Sequence, residues 1–110
     1  MLIRIVRMTF RPDAVPAFLA IFAASRPLIA AQPGCHSVAL WQEAGAAGAP
    51  HVLATYSRWT SEDALNHYRR SALFGAVWPQ TKALFAAPAQ TFSFAEFPSH
   101  LLPPTAAPAP

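Results

Sequence analysis

The sequence predicts an α+β fold with the element order β-α-β-β-α-β. Four segments have strand character, two longer intervening segments repeat apolar residues at helical spacing, and Pro- and Gly-bearing turns separate them. The chain has 110 residues, room for one domain with its own core. Hydrophobic residues make up 54% of it and charged residues only 12%, which excludes a disordered chain.

The first strand is Leu2 to Phe10, with Ile3 and Ile5 on one face and Leu2, Val6, Met8 and Phe10 on the other. Apolar residues on both faces call for a cover on each side. Asp13 offers an N-cap to a helix in which Val15, Phe18, Leu19, Phe22 and Ile29 recur at helical spacing. Pro16 suits its first turn, whereas Pro27 is expected to kink or break it near Arg26. Pro33-Gly34 closes the segment. The second strand runs from His36 to Glu43, a small-residue loop covers 44–50, and the third strand runs from His51 to Trp59.

Thr60-Ser61-Glu62-Asp63 is a hydroxyl cap followed by acids, a helix start. That helix carries Leu65, Tyr68, Ala72 and Phe74, is loosened at Gly75, bends, and continues past Pro79 with Val77, Trp78, Leu84 and Phe85 on its apolar side. Gln90 to Phe97 is the last strand. From Pro98 the chain is Pro- and Ala-rich and reads as an extended tail, giving a domain over 1–97 and a tail over 98–110. This order is the ferredoxin-like, split βαβ arrangement: a four-stranded antiparallel sheet with both crossover helices on one face. The other sheet face is then apolar and uncovered, and sheet-to-sheet homodimerisation is the simplest way to bury it.

The net charge of +3 comes from scattered basic residues with no lysine-rich stripe, so no nucleic-acid partner is expected. Cys35 is the only cysteine, which excludes an internal disulfide and fits a reducing, cytoplasmic setting. The longest apolar run, Ala14 to Ala24, is too short for a membrane span. Arg4, Arg7 and Arg11 ahead of it resemble a signal-peptide head, but Leu2 to Phe10 already reads as a folded strand. No two histidines have ligand spacing, so no metal site is expected.

The stretch from Thr55 to Leu65, then Tyr68-Arg69-Arg70-Ser71-Ala72-Leu73-Phe74, Trp78 and Lys82-Ala83-Leu84-Phe85, together with the Pro33-Gly34-Cys35 turn, resembles the antibiotic biosynthesis monooxygenase-like family of dimeric α+β barrel proteins. The resemblance spans about residues 2 to 97. It implies an oxygenase without metal or flavin, acting on a small electron-rich aromatic such as a quinol or anthrone. Dioxygen would be the second substrate, and the pocket would lie between sheet and helices. In the haem-degrading branch an asparagine, a tryptophan and a histidine do the work. The matching positions here hold Arg7, Tyr68 and Trp78, so the axial iron ligand is missing.

Tyr68 is either a hydrogen-bond donor to a substrate oxygen or an aromatic core residue with its hydroxyl tied to the backbone. Trp78 either walls a flat ligand or fills core, and Tyr56 and Phe74 join it as substrate-contact candidates. Arg7 either places a cation where a phenolate forms or pairs at a strand end with a carboxylate such as Glu96. His67 is a candidate base because histidine titrates near neutral pH, although it points about 100° away from Tyr68 on a helix. The competing functions are a non-enzymatic binding module using the same pocket, and a dimer whose pocket is filled core.

Overall fold

A computed structural model describes residues 1–45 and 51–105. Strands β1 (Leu2–Thr9), β2 (Cys35–Gln42), β3 (Val52–Trp59) and β4 (Gln90–Ala95) form one antiparallel sheet in the order β2-β3-β1-β4. Helix α1 (Val15–Ala30) connects β1 to β2, while α2 (Glu62–Arg69) and α3 (Ala72–Lys82) connect β3 to β4. The four-stranded, ferredoxin-like α+β architecture is therefore the expected one. Residues 46–50 of the anticipated hairpin loop and 106–110 of the anticipated tail lie outside the described residues.

Strand alternation sorts the side chains into two sets. Leu2, Met8 and Phe10 of the first strand region pack with Phe18, Phe22, Val38, Leu53, Trp59 and Leu65 on the helix side. Ile3 pairs with Arg58 and Phe94, and Ile5 with Tyr56 and Phe92, so these residues share the opposite face. That face carries exposed Trp41, Phe92 and Phe94.

Several local expectations are corrected. Asp13 does not cap α1: it lies in a 3-10 turn over Pro12–Ala14, and Ala14 occupies the N-cap without a side-chain bond. Pro27 does not end α1, which continues to Ala30. Contacts on both sides of the proline hold the helix: Phe22 and Ser25 are buried, the Arg26 Nε donates to the Val38 carbonyl at 3.0 Å, and Ile29 packs on the core. The stretch Pro12–Ala30 is consequently 19 residues long with mean hydropathy 1.4, enough by length and composition for a membrane span, yet it lies along the sheet as one of its covering helices.

The second crossover breaks at Arg70 and Ser71, not at Gly75 or Pro79, both of which lie within α3. The Ser71 hydroxyl serves both sides of the break: it donates to the Tyr68 carbonyl at 2.6 Å and accepts from the Phe74 N–H at 3.2 Å. An α2 helix capped by Ser61, which accepts from the Ala64 N–H, starts where the hydroxyl–acid pattern places it. Finally, β4 stops at Ala95, and the segment after Pro98 is not wholly extended, since Ser99–Leu101 make a 3-10 turn.

Candidate functional site

A cavity of about 240 Å³, partly open to solvent, lies between the helix face of the sheet and the three helices. Its walls come from every helix and from all four strands, including Val6, Phe18, Val38, Trp59, Tyr68, Phe74, Trp78 and Thr91. Aromatic rings chain around it. Trp59 stacks on Tyr68 at 5.3 Å, Phe74 meets Tyr68 edge-on at 5.4 Å and stacks on Trp78 at 5.8 Å, and Trp78 meets Phe85 edge-on at 5.8 Å. Phe85 in turn meets Phe10, which stacks on Phe18 at 4.4 Å. The main chain closes this end: the Arg11 N–H donates to the Leu84 carbonyl and the Ala86 N–H to the Thr9 carbonyl. An apolar cavity of about 150 Å³ already admits benzene, so this one has room for a ligand of one or two rings.

Tyr68 reaches the wall because the Ser71 break ends α2 one turn past Leu65, whose buried side chain anchors the helix on Trp59 and Leu2. The main-chain carbonyl of Tyr68 accepts from Ser71, while its phenolic hydroxyl pairs with none of the described residues. Burial, with a smaller push from nearby Cys35, raises its pKa to about 12. At neutral pH it is a proton donor and not a base. Cys35 is itself pushed up by burial, its Sγ lying 3.8 Å from the Ser37 carbonyl, so it stays a thiol.

Tyr68, Phe74 and Trp78 thus meet at one cavity, and the other three candidates do not. Arg7 lies on the opposite sheet face with Ile5, where it forms a bidentate ion pair with Glu43 at 2.8 and 2.9 Å and also donates to Gln90 at 3.0 Å. The carboxylate partner foreseen for a strand-end arginine exists, but it is Glu43 and not Glu96. Tyr56 pairs with Ile5 and is on that same outer face. His67 is exposed on α2 and does not line the cavity.

The sequence reading missed Arg4 and Arg69. Arg4 shares the helix-facing side of β1 with Val6 and Met8 and lines the cavity, donating to the Ser93 hydroxyl at 3.0 Å. Burial, then the nearby charge of Arg69, lowers its pKa. Arg69 lines the cavity from α2. Alternation alone could have found Arg4: it sits two residues before Val6, on the face already assigned to the helices. Polar lining is completed by Ser25, Thr55, Ser57, Thr81 and Thr91. Ser57 accepts from the Trp59 indole at 2.9 Å, and Thr81 donates to the Val77 carbonyl at 3.0 Å. Among the described residues no three of His, Cys, Asp and Glu converge in a metal-binding group.

Residues 1–79 match the family model for antibiotic biosynthesis monooxygenase. No curated protein matches the sequence. Among solved structures, the Mycobacterium tuberculosis protein Rv0793 is 26% identical and superposes with a TM-score of 0.78, covering 89% of this chain and 96% of its own. A Bordetella bronchiseptica protein that carries the same family name is 27% identical, with a TM-score of 0.75 over 87% of this chain and 96% of its own. A conserved protein from Methanosarcina mazei is 19% identical with a TM-score of 0.80, covering 88% and 94%, and supports the fold alone.

Proposed function

The chain belongs to the antibiotic biosynthesis monooxygenase family, and on that premise we propose that it oxygenates a small electron-rich aromatic, quinol- or anthrone-like, without a cofactor. The observation that carries this reading is the protonated Tyr68 hydroxyl, unpaired among the described residues, on the wall of an apolar cavity sized for one or two rings.

The chemistry asks little of the protein. An electron-rich carbanion can pass an electron to dioxygen directly; recombination forms a peroxide, and loss of water leaves a new carbonyl. At a methylene carbon, one oxygen atom replaces both hydrogens as the carbonyl oxygen and the other leaves with them as water, so no external reductant enters. The protein must favour the anion and keep the ring in place. Tyr68 donates to the oxygen on which negative charge grows. Arg4 and Arg69 make the substrate more acidic by stabilising its ionised form. Phe74 and Trp78 hold the ring. Among the described residues the cavity lining contains no carboxylate or imidazole, so the substrate's proton leaves through the open side to water.

That missing base is also what favours a second reading, a dimer that binds a small hydrophobic aromatic without turning it over. Oxygen uptake with a panel of anthrones and naphthohydroquinones, in metal-free buffer and against boiled protein, separates the two. Catalysed uptake that falls on Tyr68→Phe supports the oxygenase. A rate equal to the boiled control, with ligand-induced melting shifts intact, supports the binding module.

The rest of the proposal concerns assembly. Two copies pair through the sheet face bearing Trp41, Phe92 and Phe94, residues 1–97 form the working domain, 98–110 its appendage, and the setting is cytoplasmic and reducing. The exposure of those three aromatics is the support for the pairing.

A further inference from the structure

The cavity carries an uncompensated positive charge. Arg4 and Arg69 both line it, and among the described residues no aspartate or glutamate does. Among the described residues the one ion pair, Arg7 with Glu43, lies on the far side of the sheet. The side-chain partner of Arg4 is the neutral Ser93 hydroxyl at 3.0 Å. Each guanidinium offers five donors in a planar fork matched to a carboxylate. Two like charges held at one apolar cavity repel each other, and an anion seated between them reverses the sign of that interaction. A neutral quinol would leave both cations as they are.

We infer that the ligand is an aromatic carboxylate, its rings on the Tyr68–Phe74–Trp78 wall and its acid group on Arg4 and Arg69. Arg4 and Arg69 are then specificity-determining residues. The inference deepens the oxygenase reading and rests on it for the idea that an aromatic fills this cavity. A carboxylate lies in the plane of its ring, so the ligand stays flat between sheet and helices, and the acid adds permanent charge that a phenol gains only on ionising.

The test is calorimetric titration of the full chain with 1-hydroxy-2-naphthoate and with its methyl ester. The acid should bind at least about tenfold tighter than the ester, the gain expected for one charge-assisted pair. Raising the salt concentration should weaken the acid and spare the ester, because the arginines are partly exposed. Arg4→Gln and Arg69→Gln should each erode the ratio, and the double variant should bring it to about one. Arg69 is exposed on its helix, so Arg69→Gln carries the test alone if circular dichroism shows that Arg4→Gln misfolds. An acid-to-ester ratio near one in the wild type overturns the inference, as does a ratio that survives both substitutions or an acid that fails to bind at millimolar concentration. Oxygen uptake is read separately. Selective binding of the acid with no uptake from dihydroxynaphthoate upholds the inference and sinks the oxygenase, whereas uptake from a neutral quinol with indifference to the carboxylate does the reverse.

Discussion

Tyr68 combines two properties that ordinarily oppose each other, a ring held by packing and a hydroxyl that pairs with none of the described residues. Its ring stacks on Trp59 and meets Phe74 edge-on, contacts that phenylalanine would keep. Removing the hydroxyl strands no partner among the described residues, so Tyr68→Phe should shift the melting temperature by no more than about 2 °C, in the range of a substitution that leaves packing intact. Turnover should fall about 100-fold if the hydroxyl stabilises a developing oxyanion. A comparable loss of stability would assign the hydroxyl to the core instead. Titration adds an independent check. With its pKa raised to about 12, Tyr68 should be silent in the ultraviolet phenolate absorbance difference between wild type and Tyr68→Phe until strongly alkaline pH. The sign for stability follows: below pH 10 folded and unfolded states both hold the proton, and between about pH 10 and 12 the unfolded chain releases it more readily. The wild type should therefore lose stability over that window relative to Tyr68→Phe, and denaturant melts on either side of its lower edge measure it.

Elements carried most of what the sequence could tell. Strands were legible because β-branched and aromatic residues cluster between turns, and the α2 start was legible because Ser61 is followed by Glu62 and Asp63. What failed were inferences from single residues whose fate tertiary contacts decide. Pro27 looks like a helix breaker yet sits inside α1, and Gly75, expected to loosen the second crossover helix, sits inside α3, while the break falls at Arg70 and Ser71. The candidate site suffered the same way: Arg7 was a sound choice of chemistry on the wrong face, and Arg4 holds the place foreseen for it. Gly34 is where an element's geometry depends on one residue. Its φ is +80°, its carbonyl accepts from the Thr60 N–H at 2.8 Å, and a Cβ built there would come within 2.6 Å of the Ala64 Cβ. That contact joins the turn before β2 to the first turn of α2. Gly34→Ala should therefore cost about 2 kcal/mol or more, from the left-handed conformation plus displacement of α2. Chemical denaturation measures it, and a change below about 0.5 kcal/mol, the ordinary scatter for a surface substitution, would mean that the turn adjusts freely.

At the scale of the whole molecule the sheet has helices on one side only. The chain measures 52 × 37 × 21 Å, a slab, and Trp41, Phe92 and Phe94 are 61%, 43% and 55% exposed on its bare face. With strands of six to eight residues, about 4.8 Å apart and rising about 3.3 Å per residue, that face spans only roughly 500 Å² in projection. A stable interface buries about 800 Å² of accessible surface per partner, and exposed apolar side chains beyond the strands would add to what the proposed dimer buries. Phe97, Leu101 and Leu102 follow β4 directly and are 61%, 60% and 58% exposed. In sequence they are the first exposed large apolar residues after β4. Light scattering of the full chain should then give twice 11.9 kDa. Phe94→Glu, which puts a charge on that face at its β4 edge, should give monomer, and ending the chain after Glu96 should raise the dimer dissociation constant by at least about tenfold, the effect of losing some 1.4 kcal/mol of apolar burial. A wild-type monomer at micromolar concentration would overturn the dimer. A truncated chain that dimerises as tightly as the full one would confine the interface to the sheet face.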